Sequence, residues 1–262
     1  MESRTKEKLA HGFLDLKINE CIPKWRKEQQ AEYKIIFDLM QFLYSIEDNF
    51  IGKDATQQDV FLMSSILELN RLFQSAVLLF ERGIPASANI IIRTILELSL
   101  NIVETIKNEE YIQEILFNEL KEMRSTVNIA KEFNRLDLIP PERIQEIQET
   151  YESFGERKSK KKNVKDLAIK NGFEVEYLLY RTYCGNTHMS ASILAKNFKV
   201  SSLGVVYDGN IKLSDFKNDL GRLIGITMIS IPILVNDYIK DDNLSKQYDL
   251  ICENLGNVFA YV

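Results

Sequence analysis

Between Tyr180 and His188 the chain reads Tyr180-Arg181-Thr182-Tyr183-Cys184-Gly185-Asn186-Thr187-His188, and His188 is one of only 2 histidines in the protein. On a helix turning about 100° per residue, Arg181 and His188 fall nearly on one face, with Cys184 between them. A guanidinium can stabilise charge on a phosphate while an imidazole moves protons near neutral pH. Together they are the minimum equipment for cutting RNA without a metal. Tyr180, Tyr183, Cys184 and Asn186 surround the pair with further polar groups. Cys184 and His188 also have the i,i+4 spacing at which a thiol nucleophile can meet its base, although no third orienting group can be assigned. The plain alternative is a histidine that only hydrogen-bonds in the core or at the surface.

A second set of residues lies upstream. From Ile90 to Val103 apolar side chains leave almost no solvent face, yet Asn89, Arg93, Glu97 and Asn101 recur every four residues as one narrow polar stripe. Burying a guanidinium and a carboxylate costs several kcal/mol unless they pair. Arg93 and Glu97 have the spacing to do so, in the less favourable order. The stripe is either an internal salt bridge that fixes helix register or the polar wall of a pocket. If a site exists, stripe and Arg181–His188 segment must converge on one cavity, because neither is complete alone.

The run Arg157, Lys158, Lys160, Lys161 and Lys162 reads first as a solvated loop and second as a weak RNA contact. Walker and dinucleotide-type glycine motifs, HExxH and carboxylate-bridged di-iron patterns do not occur in the sequence, so no cofactor and no metal are expected. The other histidine, His11, sits in an ordinary amphipathic start.

The elements that would position these residues are helices. Apolar periodicity predicts helices over about 5–50, 57–82, 85–107, 109–135, 141–154, 164–170, 174–196, 215–239 and 243–257. Asp54 with Gln57 suggests a capping box for the second of these. Gly83 then stops that helix and Pro85 starts the next, so the two form an antiparallel hairpin. Leu203 to Leu213 is rich in β-branched residues around Asp208-Gly209, which predicts a small β-hairpin. The fold class expected is all-α, a multi-helix bundle with that hairpin inserted near 203–213, in a single domain over 1–262.

Composition agrees with a helical, cytoplasmic protein. The 262 residues include only 11 Gly and 5 Pro, and 33 basic residues face 38 acidic ones for a net charge of −5. That balance excludes a protein whose whole surface grips nucleic acid but permits a local basic patch. Three separated cysteines without CxxC spacing read as reduced thiols. The N-terminus runs into mixed charge rather than a signal peptide, and the uncharged run Leu223–Asn236 is shorter than the about 20 residues a bilayer span needs. No membrane partner is expected.

Two blocks carry a family likeness. The first runs from Leu79-Phe80-Glu81-Arg82-Gly83-Ile84-Pro85-Ala86-Ser87-Ala88 through Ile92-Arg93-Thr94-Ile95-Leu96-Glu97-Leu98. The second comprises Asn163-Val164-Lys165-Asp166-Leu167-Ala168, Tyr177, Tyr180-Arg181-Thr182-Tyr183-Cys184 and Thr187-His188. Over about 60–195 they resemble a bacterial all-helical domain-of-unknown-function family with the pattern RG…A…R…E then Y…Y…S…H. Cys184 stands where that family usually has serine, which weakens a nucleophilic role. The family implies no established activity.

A more distant likeness is to the HEPN superfamily, helical bundles that often carry arginine, four to six residues, then histidine. Thr182 departs from the Asn, Asp or His that commonly follows that arginine. The HEPN resemblance implies a metal-independent ribonuclease, a toxin or antiphage effector, working as a homodimer beside a protein antitoxin or defence partner. A non-catalytic module holding a small anion or nucleotide is the alternative.

Overall fold

The computed structural model describes residues 17–50, 54–154, 163–187, 198–201, 204–207 and 213–259. Helices dominate, and the all-α bundle expected from periodicity is what forms. The chain opens with α1 (Lys17–Glu28) and α2 (Gln30–Asp48), separated by a turn at Gln29. Next come the two long helices α3 (Gln57–Glu81) and α4 (Pro85–Lys107). These are followed by α5 (Tyr111–Glu132), a short 3-10 turn and α6 (Pro141–Ser153). Two shorter helices, α7 (Val164–Asn171) and α8 (Glu174–Thr187), precede α9 (Leu213–Thr227) and α10 (Asp242–Phe259).

The cap of α3 is a correction. Its capping box is Thr56 with Asp59, not Asp54 with Gln57: Asp59 N–H donates to Thr56 Oγ1 at 3.1 Å and Thr56 N–H to Asp59 Oδ2 at 2.9 Å. Both pairs share the three-residue spacing, but here the aspartate carboxylate at the third helical position closes the box. At the far end, Gly83 takes φ 77°. Its N–H donates to Phe80 O, and that of Ile84 to Leu79 O, each at 2.9 Å. This paired closure needs a left-handed residue, which glycine supplies without a Cβ clash. Pro85 then opens α4, so α3 and α4 fold back as the expected antiparallel pair.

That pair is the centre of the molecule. One continuous apolar core takes Ile36, Leu39, Leu43 and Ile46 from α2, Leu62, Ile66, Leu69 and Phe73 from α3, and Ile92, Ile95 and Leu96 from α4. Leu220, Leu223 and Ile224 of α9 and Ile251 and Phe259 of α10 complete it. A half-buried ion pair adds a polar pin: Glu81, fully buried, accepts from Arg26 Nε at 2.7 Å, from Arg26 Nη2 at 3.1 Å and from the Tyr33 hydroxyl at 2.8 Å. It ties α1 and α2 to the end of α3.

Two expectations fail further along. The predicted helix over 215–239 is interrupted at 228–230, resumes at Ile231–Ile233 and continues as a π-helix over Leu234–Ile239. Pro232 lacks the N–H that an unbroken helix would use. The hairpin expected over 203–213 is not supported. Instead Phe198–Ser201 pairs antiparallel with Gly204–Tyr207, Ser201 opposite Gly204, and Asp208-Gly209 lies outside the described residues. The β-branched residues Val205 and Val206 therefore belong to the second strand of a pair rather than to its first.

Two segments, Pro85–Lys107 and Lys217–Ile239, are long and apolar enough to cross a membrane by length and composition. About half of each apolar window is buried against neighbouring helices, 44% and 56% respectively. A central core helix passes the same test.

Candidate functional site

The polar stripe of α4 faces α8. Arg93 Nη2 donates to Glu97 Oε1 at 2.9 Å and to the Tyr180 hydroxyl oxygen at 2.9 Å. The Tyr180 hydroxyl donates in turn to Glu97 Oε1 at 2.7 Å. The guanidinium carbon also lies 5.1 Å from the centre of the Tyr180 ring, and Tyr177 stacks on Tyr180 at 5.9 Å. Three groups from two helices thus close a triangle. Burial first, then the Glu97 carboxylate, pushes the Tyr180 phenol up to about 12. Arg93 is raised as well, with its bond to Tyr180 the largest cause. The stripe is an internal salt bridge and a pocket wall at once.

Around this triangle opens a cleft of about 730 Å³, walled by α4, α5, α7 and α8. Arg93, Glu97 and Asn101 line it from α4, and Tyr177, Tyr180 and Arg181 from α8. Asn118 and Glu119 of α5 stand on another side, and Asn163 and Lys165 at the start of α7 on a third. The floor is apolar, formed by Leu100, Leu167 and the Tyr111 ring, which pack with Ala168 in a small cluster separate from the main core. The Tyr111 hydroxyl donates to Asn101 Oδ1 at 2.8 Å, which leaves the Asn101 amide nitrogen to offer its hydrogens elsewhere.

The wall nearest α7 is fixed by a feature the sequence analysis missed. Glu104, fully buried, continues the α4 stripe three residues beyond Asn101. It accepts from Lys170 through Oε1 and from Asn171 Nδ2 through Oε2 at 3.1 Å. An i+4 stripe drifts about 40° round a helix at each step, so a step of three brings it back to the same side. Asn163 could likewise have been found: followed three residues on by Asp166, it caps α7 by accepting the Asp166 N–H at 2.9 Å.

The expected site residues divide. Arg93, Glu97, Tyr180 and Arg181 line one cleft. Tyr183 does not: it is buried in the main core, where burial raises its phenol and Arg222 and Asp219 of α9 act on it. Being three residues after Tyr180, it lies about 60° round the helix, toward α9. Cys184, half-buried and packed on the main core, interacts with the Tyr180 hydroxyl and is not among the cleft-lining residues. Asn89 does not line the cleft either, and its Oδ1 is buried with no hydrogen-bond partner among the described residues. The backbone of α8 includes Asn186, whose side chain lies outside the description, as do His188 and the run Arg157, Lys158, Lys160, Lys161 and Lys162. The separation of His188 from Arg93 and Glu97 therefore stands as an expectation.

A helical bundle whose cleft joins a paired arginine, a carboxylate and tyrosines defines a structural class rather than a reaction. The sequence matches the family of unknown function DUF5677 over residues 59–204, more than half of the chain, and the protein belongs to that family. The matched segment contains the four helices α4, α5, α7 and α8 that wall the cleft. Comparison with curated proteins and with solved structures gives no match.

Proposed function

We propose that the protein is a HEPN-like, metal-independent ribonuclease, a cytoplasmic toxin or antiphage effector, whose cleft receives the scissile phosphate of RNA. The observation that carries this reading is that Arg181 lines the same cleft as the Arg93–Glu97–Tyr180 network. In this mechanism the RNA 2′-hydroxyl attacks its own phosphorus while His188 serves as general base or acid. A bond from phosphorus to the 2′-oxygen forms, the bond to the 5′-oxygen breaks, and the departing oxygen takes a proton. Arg181 stabilises the charge that develops on the phosphorus oxygens, and Arg93 assists from the wall. DNA, lacking the 2′-hydroxyl, should remain intact. A homodimer and a protein antitoxin or defence partner belong to the same proposal.

The test is RNA incubated in EDTA with wild type, His188→Ala and Arg181→Ala. Wild-type cleavage reduced about 100-fold or more in both variants is expected. No cleavage by the wild type, or equal cleavage by all three, overturns the nuclease.

One observation favours a second reading, a non-catalytic module for a small anion or nucleotide. The Arg93–Glu97–Tyr180 triangle is complete without His188. Thermal stabilisation by nucleotides that survives His188→Ala but not Arg93→Ala would select this reading.

A further inference from the structure

The cleft is uneven in charge. Arg93 and Glu97 offset each other. Of the other charged lining residues Glu119 of α5 is acidic, whereas Lys165 from α7 and Arg181 from α8 are cations, both exposed and with no ion pair among the described residues, which leaves the lining one positive charge in excess on the α7–α8 side. The first turn of α7 lies there too. Asn163 caps it by taking the Asp166 N–H, and the N–H groups of Val164 and Lys165, at the first two helical positions, have no acceptor within the helix. The positive end of the α7 dipole adds to both side chains. Asp166, the acid of that turn, is not among the cleft-lining residues. Across the space, Asn101 offers amide hydrogens because Tyr111 occupies its oxygen.

From this distribution we propose that the α7–α8 rim is a phosphate subsite, built by Lys165, Arg181 and the first-turn N–H groups of α7. The cleft then takes one nucleotide, its phosphate on this rim and its sugar or base toward Asn101 and the tyrosine rings. Arg93 is not the anion clamp. Its Nη2 is engaged by Glu97 and Tyr180 and its Nε is buried, so it acts chiefly as a positioning residue for the wall. At about 730 Å³ the cleft is within the range of small-molecule pockets, a nucleotide included. The proposal rests on reading the cleft as an anion-binding site and does not require the cleavage step.

The test uses the full-length protein with inorganic phosphate, uridine monophosphate and uridine, read by thermal shift and calorimetric titration. Phosphate and uridine monophosphate should stabilise it and uridine should do so far less. Lys165→Gln and Arg181→Gln should each weaken uridine monophosphate about tenfold, as loss of one charge-assisted contact does. Lys165→Arg should retain most of the affinity, and Asn101→Leu should weaken uridine monophosphate while sparing phosphate. Unchanged affinity in both glutamine variants, equal binding of uridine and its monophosphate, or no binding of either anion overturns the subsite. RNA cleavage assayed alongside keeps the two readings apart. A protein that binds uridine monophosphate as described but cuts no RNA supports the subsite and removes the nuclease.

Discussion

The Tyr180 hydroxyl holds two charged groups in register, accepting a hydrogen bond from Arg93 and donating one to Glu97. Removing it with Tyr180→Phe keeps the ring and its stack on Tyr177 but breaks the triangle. We expect a loss of about 1 kcal/mol near neutral pH, the worth of a typical hydrogen bond, read by urea denaturation. The pH dependence has a definite sign. Because the folded phenol titrates near 12 against an ordinary value of 10.0, its contribution is complete below about pH 10 and is lost as pH rises toward 12. The difference between wild type and Tyr180→Phe should therefore shrink at about pH 11. A difference that stays constant from neutral to alkaline pH would show that the hydroxyl is not linked to folding.

Among elements, α7 is fastened to α4 through a single buried charge. Glu104 is wholly enclosed, whereas Lys170 is half-exposed and can turn to water. The two sides of the pair are therefore unequal. Lys170→Met removes the cation and leaves the enclosed carboxylate with Asn171 among its remaining partners, which should cost about 2 kcal/mol, short of the about 3–5 of a wholly stranded ion. Glu104→Gln, which removes the charge itself, should cost less. Equal losses in chemical denaturation would mean that the pair is not desolvated as drawn. The α3–α4 connection makes a second case: Gly83→Ala at φ 77° should destabilise by about 1–2 kcal/mol, since alanine resists the left-handed region. Substitution of the exposed Ala86, by contrast, tests no such constraint.

At the scale of the molecule, the matched family segment is not the whole folding unit. Helices α2, α9 and α10, which lie outside residues 59–204, put Leu39, Leu43, Leu220, Leu223 and Ile251 into the same core as α3 and α4. A fragment limited to 59–204 would leave the faces of α3 and α4 uncovered. We expect it to aggregate or to bind a hydrophobic dye, and a soluble fragment with the thermal transition of the full chain would refute this. The same distinction explains what could be read beforehand. Helix type and most boundaries were legible because apolar spacing, Gly83 and Pro85 are local signals. The convergence of Arg93, Glu97 and Arg181 was inferred from chemical incompleteness rather than from any local signal. Lys165, Asn118, Glu119 and Tyr111 were not found, because only tertiary packing brings α5 and α7 to that side of α4. Tyr183 misled because its polar type says nothing of which way its helix turns.

Asp59 has a consequence for any attempt to trade parts between members of the family. Its Oδ2 closes the cap of α3, while its Oδ1 accepts the Tyr238 hydroxyl at 2.8 Å. Tyr238 belongs to the π-helical segment, 179 positions away and beyond the matched region. The first residue of that region is thus fastened from outside it. A graft of 59–204 into another framework would arrive with this fastening severed unless a tyrosine on an equally underwound turn came with it. Chimeras that co-transfer the segment around Tyr238 should melt higher than those that do not, so the natural cut points for recombination enclose both ends of that bond.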